Sequence, residues 1–94
     1  MKNKHEINPM NRIVKAIKKI KSDEEIGRFL TELLTDNELK DMENRWILME
    51  MLNKGVTQRE IAKELKISLC KITRGSKLLK DETSVVGQII KKLK

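Results

Sequence analysis

Residues that carry chemistry are scarce in this 94-residue chain, which has one cysteine (Cys70), one histidine (His5), one tryptophan, one phenylalanine and no tyrosine. A lone thiol forms no internal disulfide, and with only His5 beside it no metal-ligand cluster can be assembled. No nucleophile–base pair and no catalytic carboxylate constellation can be built either, so an enzyme is the least expected class and no prosthetic group is implied. One proline, Pro9, four glycines and the absence of alternating strand-like runs leave little room for a sheet. No apolar run approaches the roughly 20 residues of a membrane-spanning helix. The basic start also lacks the apolar stretch of a secretion signal, which makes the cytoplasm the expected compartment, with no membrane partner.

What is present is charge and helical periodicity. Charged residues make up 37% of the chain and hydrophobic ones 38%, with Phe29 and Trp46 as the only aromatics, which promises a thin core for a monomer and favours a homodimer. Apolar residues nevertheless recur at helical spacing in every segment, which argues against a disordered chain. The pattern predicts an all-α fold of six short helices near 9–21, 23–34, 36–54, 57–65, 68–79 and 83–93. Met10, Ile13, Val14, Ile17 and Ile20 form one stripe, and Ile26, Phe29, Leu30, Leu33 and Leu34 a second. Thr35-Asp36-Asn37-Glu38 has the form of a capping box opening the third helix. The later part of that helix, Trp46 to Met49 with Met51 and Leu52, is apolar nearly all round and is the expected buried centre. Val85, Val86, Ile89, Ile90 and Leu93 give the last helix a stripe with nothing to cover in a compact monomer, which again points to a second subunit.

The net charge of +7 is unevenly distributed. Residues 1–21 carry seven Lys/Arg and one Glu, residues 22–53 carry three Lys/Arg and nine Asp/Glu, and residues 57–80 carry seven Lys/Arg and two Glu. Two basic zones flanking an acidic scaffold suit contact with nucleic-acid phosphates, although basic faces on helices are also common as plain solvated surface.

The second basic zone has an internal order. Thr57 can cap a helix whose inner face is Ile61, Ala62 and Leu65, with Ala62 small enough for close helix crossing. Ile67 can fill the space between two helices, Ser68 can cap a second helix starting at Leu69, and Ile72 then faces inward. Lys66 falls at the turn position where glycine is usual, and a left-handed backbone there costs a non-glycine residue about 1 to 2 kcal/mol. Segment 57–80 therefore predicts a helix-turn-helix whose second helix presents Leu69, Cys70, Lys71 and Arg74 near its exposed start, the end that meets base edges in such complexes.

From Leu34 to Lys80 the residues resemble the tryptophan repressor family. The resemblance is carried by Leu34-Thr35, Arg45, Gln58-Arg59-Glu60 and, most specifically, Ile72-Thr73-Arg74-Gly75-Ser76 followed by Leu79-Lys80. It implies an intertwined homodimer in which residues 1–56 form a dimerisation core, 57–80 the helix-turn-helix and 81–94 a C-terminal dimerisation helix, within a single domain 1–94. It also implies L-tryptophan, a small aromatic amino acid, as corepressor. By that resemblance Arg45 and Arg74 would sandwich the indole and hold its carboxylate, Gly75 would let the ring approach the backbone, Thr35 would lie near the carboxylate, and the Leu34 carbonyl would face the ammonium group from the other subunit. Leu78 stands where the family has a serine hydroxyl for that ammonium group, and the connection from Arg45 to Gln58 is one residue shorter.

At the DNA surface the resemblance implies Gln58 and Arg59 on phosphate and guanine edges, and Thr73 on phosphate. Ser68, Leu69, Cys70, Lys71 and Lys80 complete the expected face, with Lys71, Leu69 and Cys70 departing from the family residues. The expected function is a sequence-specific repressor of tryptophan-related genes, binding a double-stranded operator more tightly with corepressor. The alternative is a regulator of the same fold with a different corepressor or none. A nonspecific architectural or membrane-surface protein using basic residues 10–21 is a third reading.

Overall fold

A computed structural model of the chain describes residues 8–93, so the first basic residues and His5 lie outside what is described. Among the described residues there are six helices and no strand: α1 (Pro9–Lys19), α2 (Asp23–Leu33), α3 (Asp36–Asn53), α4 (Gln58–Leu65), α5 (Leu69–Lys80) and α6 (Val85–Lys92). The all-α expectation holds. The chain divides into two compact units, one ending at Leu39 and the other starting at Lys40.

In the first unit every helix start is satisfied by a short polar side chain, as the orphan N–H groups of a first turn require. Asn8 Oδ1 accepts from the Met10 N–H at 2.8 Å, with Pro9 at the first helical position where its missing donor is harmless. Ser22 Oγ accepts from the Glu25 N–H, and three acidic residues follow it in the first turn of α2, where the helix dipole favours them. Thr35 and Glu38 form the predicted capping box. The Thr35 N–H donates to Glu38 Oε1 at 2.9 Å and the Glu38 N–H donates to Thr35 Oγ1 at 3.2 Å. The Thr35 backbone N–H, followed by its hydroxyl, holds the Glu38 carboxyl below its ordinary pKa. Neither α1 nor α2 contains a fully buried residue, and Met10, Val14 and Leu33 of the two predicted stripes are exposed.

The second unit holds the core. Leu48, Ile61 and Ile72 form its buried centre, with Met51, Leu52, Val56, Ala62, Leu65 and Ile67 packed around them. Ile61 and Ile72 are completely removed from solvent, each stabilising the unit by about 1.5 to 3 kcal/mol. The end of α3 turns through Gly55, whose φ of 89° is left-handed. The Gly55 N–H reaches the Leu52 carbonyl and the Val56 N–H reaches Met51, a Schellman closure that brings Val56 onto the core.

Between α4 and α5 the predicted tight turn is present. Thr57 Oγ1 accepts from the Glu60 N–H at 3.2 Å and Ser68 Oγ from the Lys71 N–H at 3.4 Å. Lys66 closes α4 at φ 55° and ψ 44°, the left-handed region anticipated for it. Lys66→Gly is expected to raise stability by about 0.5 to 1 kcal/mol, the relieved strain less the extra freedom glycine gives the unfolded chain. Urea denaturation of the two proteins would show it, and a loss of stability would mean that the lysine is not strained there.

Two expectations are corrected in this unit. Trp46 and Ile47 were expected in the buried centre with Leu48 and Met49, but they are 37% and 40% exposed while their two neighbours are buried. Leu48 packs with Ile61 and Ile72, and Leu48 and Met49 both lie against Gly75 of α5, so α3 is covered on the side of these two residues. The stripe of α6 is also not wholly uncovered. Ile90 is buried, its carbonyl accepts from Asn53 Nδ2 at 3.5 Å, and Gly87 lies so close to the end of α5 that an added Cβ would stand 2.9 Å from the Leu78 carbonyl oxygen. Val85, Val86, Ile89 and Leu93 remain exposed.

Candidate ligand cavity and nucleic-acid face

Within the second unit, α3 and α5 present matching faces. Met42, Arg45 and Met49 recur at the three- and four-residue steps of one helix face, and so do Lys71, Arg74, Gly75 and Leu78. These residues, with Trp46 and Leu48 of α3 and Val86 of α6, line a cavity of about 400 Å³. The helices approach closely at Gly75 because it lacks a side chain. A Cβ there would lie 3.2 Å from both Leu48 Cδ2 and Met49 Sδ. Gly75 therefore serves helix packing and forms part of the cavity wall at the same time.

The side chains lining this space are apolar or cationic. The apolar ones can desolvate a ring, and the three cations, Arg45, Lys71 and Arg74, can take up negative charge. Among the described residues the one ion pair is Arg28–Glu32 on α2, so neither guanidinium of the cavity is occupied by a carboxylate of those residues. A planar fork left unpaired beside an apolar cavity is suited to a carboxylate ligand.

Three of the residues expected at a ligand, Arg45, Arg74 and Gly75, are thus brought together. Leu34 and Thr35 lie in the first unit, where Leu34 ends α2 and Thr35 caps α3. Lys71, expected at the DNA surface, lines the cavity beside Arg74. Trp46, Met42, Leu48, Met49 and Val86 were not expected there. For the α3 residues the signal was their position one, three or four residues from Arg45.

The residues expected at DNA are all exposed: Gln58 and Arg59 in the first turn of α4, then Ser68, Leu69, Cys70, Lys71, Thr73 and Lys80 along α5. The Ser68 hydroxyl is engaged as the helix cap. Cys70 is a free, exposed thiol. No helix among the described residues is long and apolar enough to cross a membrane, and no group of three or more His, Cys, Asp or Glu residues among them could hold a metal ion.

Comparison with known proteins gives a consistent result. The family model described as Trp repressor protein matches residues 8–94. The Trp operon repressor homolog of Xylella fastidiosa strain M23 is 37% identical over 70 residues, covering 73% of this chain and 76% of that protein. The Trp operon repressor homolog of Chlamydia caviae is 40% identical over 63 residues, covering 66% of this chain and 62% of that protein. No solved structure gives a significant match. The chain belongs to the Trp repressor family and is a trp-related repressor, not an enzyme.

Proposed function

We propose that the chain acts as a homodimeric, sequence-specific DNA-binding repressor whose hold on a double-stranded operator strengthens when a small aromatic amino acid, L-tryptophan in the first instance, fills the α3–α5 cavity. The observation that carries this reading is that α5 serves two surfaces. One face, with Lys71, Arg74, Gly75 and Leu78, lines the cavity, while Leu69, Cys70 and Thr73 lie in the exposed start of the same helix. A ligand pressed between α3 and α5 therefore acts directly on the orientation of the recognition helix, with no intervening element. Arg45 and Arg74 would hold the ligand carboxylate, and Thr35 and the Leu34 carbonyl, reached from the second copy, would complete the site.

Residues 1–56 would form the dimerisation core, 57–80 the helix-turn-helix and 81–94 a further dimer contact. The exposed Met10, Val14, Leu33, Val85 and Leu93 supply the apolar surface for that assembly. Sedimentation at micromolar concentration should give twice the 11.0 kDa chain mass, and a folded species at the chain mass would overturn the dimer.

Gln58, Ser68, Leu69, Cys70, Thr73 and Lys80 would position the head on DNA, and Arg59 would read a guanine. Arg59→Ala is expected to cost about 1 to 3 kcal/mol on the operator and to relax base preference at one position per half-site. Lys80→Ala should weaken operator and random DNA alike and flatten the salt dependence by about one unit. Titrations over a salt series on both DNAs, with and without L-tryptophan, test the reading. Equal losses on both DNAs for Arg59→Ala would leave no sequence reading by this head.

A second reading, the same fold and DNA contact with a different corepressor, is favoured by Leu78, which puts an apolar side chain on the cavity face of α5.

A further inference from the structure

We infer that α1 carries a second contact for DNA, one that takes no account of sequence: Arg12, Lys15, Lys18 and Lys19 hold backbone phosphates of the duplex that the head reads. The inference rests on the DNA-binding reading above and adds to it a surface in the first unit. At about 100° per residue these four cations fall within about one third of the helix circumference. All four are exposed, and the sequence from Asn8 to Lys21 contains no Asp or Glu. The opposite arc is apolar: Ile13 and Ala16 border Phe29 and Leu33 of α2, and Met10, Val14 and Ile17 lie beside them, exposed.

Two observations separate the cationic arc from an ordinary solvated face. The first is the absence of compensating charge. α2 mixes both signs, and its Arg28 is paired with Glu32 at 3.2 Å, as is common on a solvated helix. Among the described residues that is the one ion pair, so no cation of α1 is held by a carboxylate of those residues. The second is the position of Arg12. Lys18 and Lys19 in the last turn suit the helix dipole, but Arg12 closes a first turn that holds no acid, at the positive end of that dipole. Helix formation gives no reason for a cation there, whereas an external anion does.

The kind of anion follows from the spacing and from the use made of the other arc. From Arg12 to Lys19 the helix rises about 10 Å, a length over which one DNA strand presents about three phosphates. A membrane surface would need the apolar arc free and an aromatic side chain to anchor it. α1 has no aromatic, and its apolar arc is taken by α2 and, in the dimer proposed above, by the second copy.

Binding of the full chain to a duplex of random sequence, and to the best-bound duplex selected from a random pool, tests this when followed over a salt series. Lys15→Gln, Lys18→Gln and Lys19→Gln combined should weaken both duplexes at least about tenfold at low salt and flatten the dependence of log affinity on log salt by about two units or more, since each phosphate contact contributes about 0.9. The ratio of the two affinities should stay within about twofold of the parent's, because backbone contacts carry no sequence information. Arg12→Gln should flatten the dependence by about one unit and Arg12→Lys should preserve it. Circular dichroism checks that each variant is folded, and if the triple variant is not, the Arg12 pair decides. Folded variants that keep the parent's affinity and salt dependence on both duplexes would overturn this inference and leave the reading of the head standing. So would binding of the parent to vesicles of anionic phospholipid that the triple variant loses while its DNA binding is unchanged. If the parent binds neither duplex, the DNA-binding reading itself is wrong and this one falls with it.

Discussion

Truncating Ile72 to alanine should destabilise the second unit by about 2 to 5 kcal/mol, because the side chain is wholly buried and the space it leaves cannot be refilled from solvent. Ile72 packs with Leu48 and Ile61, which makes it the common contact of α3, α4 and α5. With only five buried apolar residues among those described, Leu48, Met49, Ile61, Ile72 and Ile90, there is little redundancy to absorb the loss. Thermal and urea denaturation followed by circular dichroism would measure it. Operator affinity should fall with it, since Ile72 joins α5 to Leu48 of α3 and Ile61 of α4 in the core. A loss under about 1 kcal/mol would show that this core is fluid enough to close over a cavity, contrary to its observed packing.

The second large effect is expected at Arg74. Arg74→Ala should weaken L-tryptophan binding about ten- to a hundredfold, because the ligand presents the carboxylate that the guanidinium would hold, a charged contact contributing about 1.5 to 3 kcal/mol. Arg45→Ala should do the same from the facing helix. Both side chains are exposed and without a carboxylate partner among the described residues, so helical content should survive either change. The decisive comparison is ligand dependence of operator binding. If Arg74→Ala still binds operator more tightly on adding ligand, the cavity is not the gate.

How much of this was readable from the residues depends on the range of the interaction concerned. The bihelical unit was readable because its determinants are local: Thr57 and Ser68 cap, Ile61, Ala62, Leu65, Ile67 and Ile72 pack, and Lys66 takes the strained turn. Helix ends were readable only to a residue or two. The first helix stops at Lys19 because Ile20 and Ser22 are both extended, the latter so that it can cap α2. The last helix starts two residues later than expected because the Thr83 N–H and hydroxyl are both tied to Asp81 Oδ1, leaving Ser84 as the cap.

The cavity was not readable from spacing alone. Each wall repeats at helical steps, yet nothing local says which face of α3 meets which face of α5, since these elements are separated in sequence by all of α4. Arg45 and Arg74 were named through the family resemblance, whereas Lys71 and Trp46 had to be placed by tertiary packing. Trp46 was read as core on hydrophobicity, but the side of α3 that it occupies borders an opening.

That position has a practical consequence. Trp46 is the only indole of the chain and sits in the wall of the cavity, partly wetted, where its emission maximum reports local polarity. The protein therefore contains its own optical gauge of occupancy. Ligands without an indole ring, such as phenyl-substituted acids, should shift or quench that emission as they displace water from the ring, and a screen of unlabelled candidate acids needs neither dye nor engineered reporter.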